Sequence, residues 1–366
     1  MKKILHVFKT YFPDAPGGVQ EAIRAISRYT RDYGFQHSVF TLSPHPVPLE
    51  IDFEGALVHR EKQVAAPLSC PIGNWRSIRE LRRMAENADI ILYHYPWPFG
   101  DLMSLGIKDK PSIVLYHSDI IKQRYTNILY APLRDFFLER SAVIVATSPN
   151  YAESSVVLQK YRSKLRMIPL TSIPEEETED DKIIKELKLS RKPFVLFVGV
   201  LRYYKGLDTL IKAAKNVDCC FIIAGEGPER AYLESLKAQI GADNVIFVGR
   251  VTNAEKKALY QRAAVFAFPS NARSEAFGIS LAEAAMYGVP MVSCEISTGT
   301  SYVNIDKKTG YVVPPNNPEE FSNAVSKILE NRNLEATMRA EAMARWQAEM
   351  SPMIFGKKWA DLFMEF

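Results

Sequence analysis

The sequence has few cysteines and no long apolar run, and both absences exclude classes of protein. Four cysteines occur among 366 residues, none at a metal-ligand spacing, so a disulfide-rich or zinc-stabilised scaffold is excluded. No apolar run approaches the roughly 20 residues that cross a bilayer, and the first run is too short for a signal peptide. We expect reduced thiols and a cytoplasmic protein, either soluble or peripheral on the inner face of the cell membrane.

Two common glycine-rich nucleotide motifs are also missing. The stretch Gly199–Gly206 does not have the order of a Walker loop. The stretch Gly225–Arg230 imitates a dinucleotide fingerprint, but Arg230 stands where the third glycine belongs. The sequence therefore disfavours a hydride-transfer enzyme.

Basic residues are concentrated in the first half of the chain. Residues 1–170 contain 22 basic and 16 acidic side chains, whereas the whole chain contains 46 and 42. Such an excess is typical of a protein with an anionic partner, such as phosphate, a membrane surface or nucleic acid. Basic residues scattered over the surface are the alternative.

Short apolar runs alternate with helix-period segments along the chain, a pattern typical of parallel βα units. The first half contains six predicted strands: Lys3–Phe8, His37–Leu42, Ile90–Tyr95, Ile113–His117, Val143–Thr147 and Arg166–Leu170. The second half contains six more: Phe194–Val200, Cys220–Ala224, Val245–Gly249, Val265–Pro269, Met291–Ser293 and Tyr311–Val313. The polar stretch Ser172–Asp181 reads as a linker between two doubly wound sheets.

We therefore predict an α/β protein with domains at residues 1–172 and 173–351. A helix over residues 352–366 is expected to pack back on the first domain. Ligands of open parallel sheets bind beyond the carboxyl ends of the strands. Two facing sheets would therefore enclose the active site in a cleft between the domains.

Two glutamates mark the strand–turn–helix stretch Ser270–Glu283. Glu275 is expected in the turn, beside the free N–H groups of a helix N-terminus. Glu283 is expected about one turn into the helix, where a carboxylate can accept hydrogen bonds from a ribose diol. Two solvated glutamates at an ordinary junction are the alternative.

Loops after two predicted strands carry features of an anion site. Arg202 and Lys205 flank the loop that precedes a helix start at Gly206, which predicts a diphosphate clamp. Gly17 and Gly18 lie in the loop after the first strand, where glycine lets the backbone approach a ligand closely. For the loop with Gly17 and Gly18, a plain turn without a ligand is the alternative.

All six histidines lie in the first third of the chain. His94 and His117 each close an apolar run, so both should reach the carboxyl edge of the sheet close to each other. Asp119 follows His117 and is expected to orient its ring. No histidine spacing supports a metal site, and structural histidines remain the alternative.

A basic helix that carries a tryptophan is predicted over Trp75–Met84. Its arginines fall largely on one side, which suits contact with an anionic membrane surface. A solvated helix face is the alternative.

Taken in order, these motifs resemble the retaining glycosyltransferases of family 4. The likeness rests on Gly17-Gly18, the H-S-D stretch at His117, the R-x-x-K-G loop at Arg202 and E-A-F-G-I-S-L-A-E from Glu275 to Glu283. It covers essentially the whole chain and implies the GT-B architecture of two facing Rossmann-like domains. The first would face the acceptor and the second would bind the nucleotide-sugar donor.

The resemblance also implies the roles of individual residues. The implied catalytic set is His117, Arg202, Lys205 and Glu275. The implied donor-binding set is Gly17, Gly18, Gly199, Arg202, Lys205, Glu275, Ala276, Phe277, Gly278, Ile279 and Glu283. Such enzymes need no cofactor or metal because the cationic pair balances the leaving diphosphate. The acidic run Glu179-Asp180-Asp181 lies in the predicted linker and is discounted as a metal site.

The stretch His117–Arg124 resembles bacterial mannosyltransferases that build O-antigen and other polysaccharides. It implies transfer of a hexose, with GDP-mannose preferred as donor, to a glycan or lipid-linked acceptor. The family often shows an Asn-Gly or Leu-Gly pair before an acidic residue where this chain has Pro169–Pro174, so the hinge or acceptor side is expected to differ. Three alternatives stay open: a UDP-sugar donor, an epimerase or phosphorylase of this fold, and a non-catalytic nucleic-acid-binding protein.

Overall fold

The computed structural model describes residues 1–67, 70–107, 109–120, 124–174, 178, 180–189 and 192–366, with the backbone alone for residues 124–128. The chain divides into two compact units. Unit 1 consists of Met1–Thr171 together with Pro352–Phe366, and unit 2 consists of Ser172–Ser351.

Unit 1 is built on an eight-stranded sheet. Its strands are β1 (Lys2–Val7), β2 (Phe35–Ser43), β3 (Glu50–Phe53), β4 (Ala56–Lys62), β5 (Ile90–Tyr95), β6 (Ser112–Tyr116), β7 (Val143–Ala146) and β8 (Leu165–Met167). They lie in the order β3-β4-β2-β1-β5-β6-β7-β8, and all neighbours are parallel except β3 and β4. Strands β5 and β7 are buried from end to end, as expected of a sheet covered on both faces.

Helices connect these strands. They are α1 (Gly18–Thr30), α2 (Trp75–Glu86), α3 (Pro98–Ser104), α4 (Arg124–Arg140), α5 (Pro149–Ser154) and α6 (Val156–Gln159). Helix α1 buries one apolar face that includes Ile23 and Ile26. Helix α2 begins at a capping box, in which the side chain of Asn74 accepts from the backbone N–H of Ser77 and the side chain of Ser77 accepts from the backbone N–H of Asn74.

Unit 2 is built on a fully parallel six-stranded sheet. Its strands are β9 (Phe194–Val198), β10 (Cys220–Ala224), β11 (Val245–Gly249), β12 (Val265–Phe268), β13 (Met291–Cys294) and β14 (Gly310–Val313). Their order is β11-β10-β9-β12-β13-β14. Counted along the chain, this is the 3-2-1-4-5-6 order of a dinucleotide-binding fold, whose chain reversal lies between β9 and β12. The ends of these two strands are therefore the expected place for a ligand.

The helices of unit 2 follow the same alternation. They are α7 (Lys182–Glu186), α8 (Leu207–Ala214), α9 (Arg230–Ile240), α10 (Asn253–Arg262), α11 (Ile279–Met286), α12 (Thr300–Val303), α13 (Pro318–Leu329) and α14 (Arg332–Glu349). The last helix, α15 (Pro352–Met364), belongs to unit 1. It packs on α1, where a side-chain carbon at Gly356 would stand 2.4 Å from the carbonyl oxygen of Tyr29.

All twelve predicted strands are present, with ends shifted by up to three residues. The hairpin of β3 and β4 is not predicted by the sequence. Its strands are short, and charged residues interrupt them: β3 reads E-I-D-F and β4 ends in R-E-K. Such segments lack the continuous apolar run by which buried strands are identified. Parts of the predicted linker, Glu175–Glu177 and Glu179, lie outside the described residues, as do Ile121–Gln123 of the stretch after His117.

Candidate active site

Lys205 lies at the carboxyl end of the first strand of unit 2. Strand β9 ends at Val198, and a helical turn over Tyr203–Lys205 leads into α8 through Gly206. Gly206 has φ +63°, and a side-chain carbon there would stand 2.1 Å from the carbonyl oxygen of Pro269. Only glycine fits both the backbone conformation and this close approach. The glycine thereby brings the loop after β9 against the end of β12.

This approach places the ammonium of Lys205 against the carboxylate of Glu275. The Nζ atom of Lys205 donates to Oε2 of Glu275, whose other contact is the hydroxyl of Ser270 at 3.4 Å. Both charged side chains are nearly buried, at 11% and 13% exposed. The ammonium also lies 4.9 Å from the ring centre of Phe268, a cation–π distance. The lysine is therefore fixed in place, as a preorganised charge requires.

Arg202 supplies a second positive charge at the same loop. Its side chain is exposed, and within the described part of the chain its guanidinium makes no hydrogen bond. It therefore remains available to an anion. The adjacent Gly199 lies close to Gly225, where a side-chain carbon would stand 2.0 Å from the carbonyl oxygen of Gly199. The loop backbone around Gly199 is thus packed tightly against the backbone at Gly225.

The stretch from Glu275 to Ile279 forms the turn before α11. Gly278 precedes the helix with φ +84°, and no side chain caps the helix N-terminus. Phe277 is buried, while Gly299 N–H donates to the carbonyl of Ala276 at 2.7 Å and holds the turn in place. The first-turn N–H groups of a helix have no earlier carbonyl within it. This turn therefore offers backbone donors beside Glu275.

Glu283 lies within α11 and is held by two side chains of α10. Its Oε1 accepts from Lys256 Nζ at 3.0 Å, and its Oε2 accepts from Tyr260 OH at 2.9 Å. Lys256 and Tyr260 are four residues apart and so lie on one face of α10. Burial, followed by the charge of Glu283, raises the pKa of the Tyr260 phenol well above its usual range, so it stays a donor. Sequence reasoning missed both residues, although their helical spacing was visible.

In unit 1, Gly17 and Gly18 lie at the start of α1 and both are exposed. Gln20 ties this start to the preceding loop, because its amide donates to the hydroxyl of Thr10 at 2.9 Å. A side-chain carbon at Gly17 would stand 2.7 Å from Oε1 of Gln20. The glycine pair therefore leaves the backbone at this helix start open to close approach.

His117 and His94 meet at the carboxyl edge of the sheet of unit 1, as the sequence predicts. The Nδ1 atom of His94 lies 3.0 Å from Nε2 of His117. The ring of His117 is thus oriented by His94, while Asp119 accepts from the hydroxyls of Tyr116 and Ser155. Burial lowers the pKa of His117 to about 3, so its imidazole is neutral. Its buried partner His94 is neutral for the same reason: burial, followed by unfavourable electrostatic interaction with His117 and His6, lowers its pKa well below the usual range.

No group of three or more histidine, cysteine, aspartate or glutamate side chains within the described part of the chain has the arrangement of a metal site. No helix among those described is long and apolar enough to cross a membrane.

Comparison with known proteins identifies the family of both units. Residues 16–170 match the model of Glycosyltransferase Family 4, and residues 179–345 match the model of Glycosyl transferases group 1. The chain is 42% identical to D-rhamnosyltransferase WbpZ of Pseudomonas aeruginosa, over 94% of this chain and 91% of that protein. It is 38% identical to O-antigen chain mannosyltransferase C of Escherichia coli, over 90% and 89% of the two chains.

The fold matches solved structures along its whole length. Sucrose-phosphate synthase from Thermosynechococcus elongatus superposes with a TM-score of 0.82 at 21% identity, over 100% of this chain and 99% of that chain. The predicted GT-B fold, with two parallel-sheet α/β domains, is thereby confirmed. Among the functions left open by the sequence, the prediction of a sugar transferase is also confirmed. The chain belongs to glycosyltransferase family 4, and it is a glycosyltransferase.

Proposed function

We propose that this enzyme transfers mannose from GDP-mannose, with retention of configuration, to a glycan or lipid-linked acceptor in bacterial surface polysaccharide biosynthesis. The observation that carries the proposal is the nearly buried ammonium of Lys205, fixed against Glu275 beside the exposed guanidinium of Arg202. Two relatives named for rhamnosyl and mannosyl transfer support the sugar class.

The chemistry follows from where charge develops. As the bond between the anomeric carbon and the diphosphate oxygen breaks, negative charge grows on the leaving nucleoside diphosphate. Lys205 and Arg202 stabilise that charge, and because Lys205 is already held in place, little reorganisation is needed. The acceptor hydroxyl attacks the anomeric carbon on the same face of the sugar, and its proton passes to the leaving diphosphate oxygen as the new bond forms. The cationic pair performs the task that a metal ion performs elsewhere, so the proposal includes no metal and no cofactor.

The remaining residues bind the donor. Glu283 accepts hydrogen bonds from the ribose hydroxyls, with Lys256 and Tyr260 fixing its carboxylate. Glu275 contacts the transferred sugar together with the backbone of the turn Ala276–Ile279. In unit 1, His117 accepts from a sugar hydroxyl. The other predicted contacts on the donor come from Gly17, Gly18 and Gly199.

The test is thermal stabilisation by a panel of nucleotide sugars, recorded with and without a chelator. A ligand that binds the folded state raises the melting temperature by mass action. We expect a shift with GDP and GDP-mannose that the chelator does not remove and that Lys205→Ala abolishes. The matched control is Lys212→Ala, because Lys212 is an exposed lysine on α8 that pairs with Asp208. A shift with UDP-sugars alone would replace the donor, and dependence on a divalent cation would contradict the metal-free mechanism.

Transfer itself is measured as release of GDP in the presence of a lipid-linked acceptor. A panel that includes a 6-deoxyhexose donor separates mannosyl from rhamnosyl transfer, since rhamnose lacks the 6-hydroxyl of mannose. GDP release that needs no acceptor would contradict the proposal.

We further propose that α2 binds an anionic membrane surface, where a lipid-linked acceptor resides. Trp75 is 63% exposed, and the guanidinium groups of Arg76 and Arg79 lie 5.6 and 5.7 Å from its ring centre. Arg82 and Arg83 are also exposed on this helix. A tryptophan surrounded by arginines is typical of a helix that lies at the lipid headgroups.

Sedimentation with vesicles of anionic phospholipid tests this membrane contact. We expect binding to fall in Arg79→Glu/Arg82→Glu and to persist in Lys182→Glu/Lys185→Glu, which reverses two exposed charges on α7. Equal binding by both variants would show that α2 is not the contact.

A further inference from the structure

Four buried histidines form one hydrogen-bonded row across the sheet of unit 1. Nδ1 of His37 lies 2.9 Å from Nε2 of His6, whose Nδ1 lies 3.1 Å from Nε2 of His94. The Nδ1 of His94 in turn lies 3.0 Å from Nε2 of His117. The successive ring centres are 5.2, 5.4 and 5.3 Å apart, close to the spacing of neighbouring strands. Each of four adjacent strands contributes one ring: His37 lies within β2, His6 and His94 lie one residue before the ends of β1 and β5, and His117 lies just beyond β6.

The row follows from the register of the strands. His37 pairs with Ile4, so the next histidine on β1, His6, lies two residues further along. The same stagger repeats at each step: His6 pairs with Leu92, and His94 pairs with Leu115. Because side chains alternate with a period of two, a stagger of two keeps every ring on one face of the sheet. The row therefore runs obliquely across the sheet, from His37 within β2 to His117 at the carboxyl edge.

Thr30 of α1 ends the row on the side of His37. Its hydroxyl lies 2.7 Å from Nε2 of His37 and donates its single hydrogen to the carbonyl oxygen of Ile26, also at 2.7 Å. The hydroxyl oxygen can then only accept from His37, which places the hydrogen of that ring on Nε2. The hydroxyl of Ser27 lies 3.5 Å from Nε2 of His6 and is the row's other side contact.

A neutral imidazole has one donor and one acceptor nitrogen, so the first ring determines the next. With its hydrogen on Nε2, His37 accepts at Nδ1, and His6 must donate from Nε2. By the same argument, His94 donates from Nε2 to Nδ1 of His6, and His117 donates from Nε2 to Nδ1 of His94. We propose that Thr30, through His37, His6 and His94, fixes His117 as the Nε2–H tautomer and leaves its Nδ1 as a hydrogen-bond acceptor. These four are positioning residues, since they act through His117.

The consequence concerns what His117 can bind. In the described part of the chain, Nδ1 of His117 has no hydrogen-bond partner, and the side chain is 8% exposed. An acceptor fixed in this way accepts from a sugar hydroxyl and cannot donate to one. This consequence rests on the proposed function, in which His117 contacts the transferred sugar, whereas the placement of hydrogens along the row does not.

Burying four polar rings costs free energy, and good packing does not require polar rings at these positions. Four buried polar rings could be replaced by apolar side chains of similar size, and each buried polar group is tolerated only when it is hydrogen-bonded. The row satisfies its internal nitrogens completely and presents one lone pair at its end. If the row serves to hold this lone pair on Nδ1 of His117, both the complete internal hydrogen bonding and the single lone pair at the end are explained.

The test is nitrogen-15 NMR of the histidine rings of the full-length protein without substrate, comparing wild type with Thr30→Val. The chemical shifts of the two ring nitrogens identify which one carries the hydrogen. We expect all four row histidines of the wild type to be Nε2–H tautomers. In Thr30→Val the terminal acceptor is gone, so we expect the ring signals of His117 to change although three other rings separate it from position 30. Thr30→Ser retains the hydroxyl and is expected to restore the wild-type signals.

Two results would overturn the inference: an Nδ1–H tautomer at His117 in the wild type, or ring signals of His117 unchanged by Thr30→Val. The wild-type spectrum alone decides the first, so the test does not depend on the variant folding. In the transfer assay we expect Thr30→Val to lower kcat/KM about tenfold and Thr30→Ser to keep it, as for loss of a well-oriented hydrogen bond. Normal transfer by His117→Ala would refute the proposed sugar contact. The wild-type spectra would still show which ring nitrogens carry the hydrogens, and hence the direction of the hydrogen bonds along the row.

Discussion

Unit 1 contains all six histidines of the chain and unit 2 contains none, and this difference extends to how each unit builds its polar cluster. In unit 1 the cluster is a row of four neutral rings joined by hydrogen bonds. In unit 2 it consists of two lysine–glutamate pairs, Lys205 with Glu275 and Lys256 with Glu283. The row reaches the carboxyl edge of its sheet at His117, and Lys205 and Glu275 follow the carboxyl ends of β9 and β12.

The comparison shows two ways to preorganise a polar group. An ion pair fixes a charge where it stands, and its influence falls off with distance and with exposure to solvent. A row of neutral rings fixes the position of hydrogens, and each link passes its direction to the next. Unit 2 therefore suits the stabilisation of a developing charge, and unit 1 suits the recognition of a neutral hydroxyl.

The largest effect is expected from removing the fixed charge of unit 2. Lys205→Ala leaves Glu275 without its cation and the leaving diphosphate without a preorganised charge, so we expect transfer to fall by about 1,000-fold. Steady-state kinetics with saturating donor measures this loss in kcat. Lys212→Ala should match the wild type, and circular dichroism should show both variants folded. Turnover of Lys205→Ala within a few-fold of wild type would remove Lys205 from the catalytic set.

Low pH should reduce the stability of unit 1 more than that of unit 2, because the buried histidines lie in unit 1. Burial is the first cause that lowers the pKa of His37 to about 3, with a smaller contribution from the charge of Arg31. Burial also lowers the pKa of His117 to about 3 and that of His6 and His94 well below 6.5. The unfolded chain therefore binds protons below pH 6.5 that the folded row does not bind. Stability is fully present above that pH and falls as the pH drops from 6.5 toward 3.

Each such histidine removes about 1.4 kcal/mol of unfolding free energy per pH unit in that window. Hydrogen exchange followed by mass spectrometry, corrected for the intrinsic exchange rate, measures the loss separately in each unit. Between pH 6.5 and pH 5, peptides of β1, β2 and β5 should lose protection before those of β9 and β12. Equal loss in both units would contradict the neutral row.

The two glutamates of unit 2 should separate binding from catalysis. Glu283→Gln keeps the shape of the side chain but weakens its bonds to ribose hydroxyls, so we expect about a tenfold rise in the Kd of GDP. Glu275→Gln releases Lys205 from its pair and should lower kcat more than it changes that Kd. Calorimetry with GDP and steady-state kinetics measure the two quantities. The same change in both variants would show that the two carboxylates do not have separate roles.

The sequence predicts most strands and helices of both units but only part of each polar cluster. Strands with continuous apolar runs are recognisable, and the charged β3–β4 hairpin is not. Arg202, Lys205 and Glu275 stand at strand–helix junctions, where an anion site is expected from local geometry alone, and Glu283 lies about one turn into the helix that follows. Lys256 and Tyr260 escape notice because they lie on a different helix from their partner, and only the folded chain brings α10 beside α11.

The histidine row shows the same limit more sharply. The sequence indicates that His94 and His117 end neighbouring strands, but it does not give the stagger of two residues per strand. That stagger depends on how β1, β2, β5 and β6 align, which long-range packing decides. His6 and His37 lie within predicted strands, and the sequence therefore gives no signal that they belong to a row.

The smallest effect is expected from removing one hydroxyl in unit 2, and it provides the direct contrast with Thr30→Val. Tyr260→Phe deletes one of two bonds to Glu283 and leaves Lys256 in place at 3.0 Å. Because the contact is local, we expect the Kd of GDP to rise only two- to threefold, about 0.5 kcal/mol, with kcat unchanged. Calorimetry and steady-state kinetics measure the two. If Tyr260→Phe lowered kcat/KM as strongly as Thr30→Val, polar contacts in unit 2 would also act over a distance, and the distinction between a charge fixed locally and a hydrogen fixed through a row would fail.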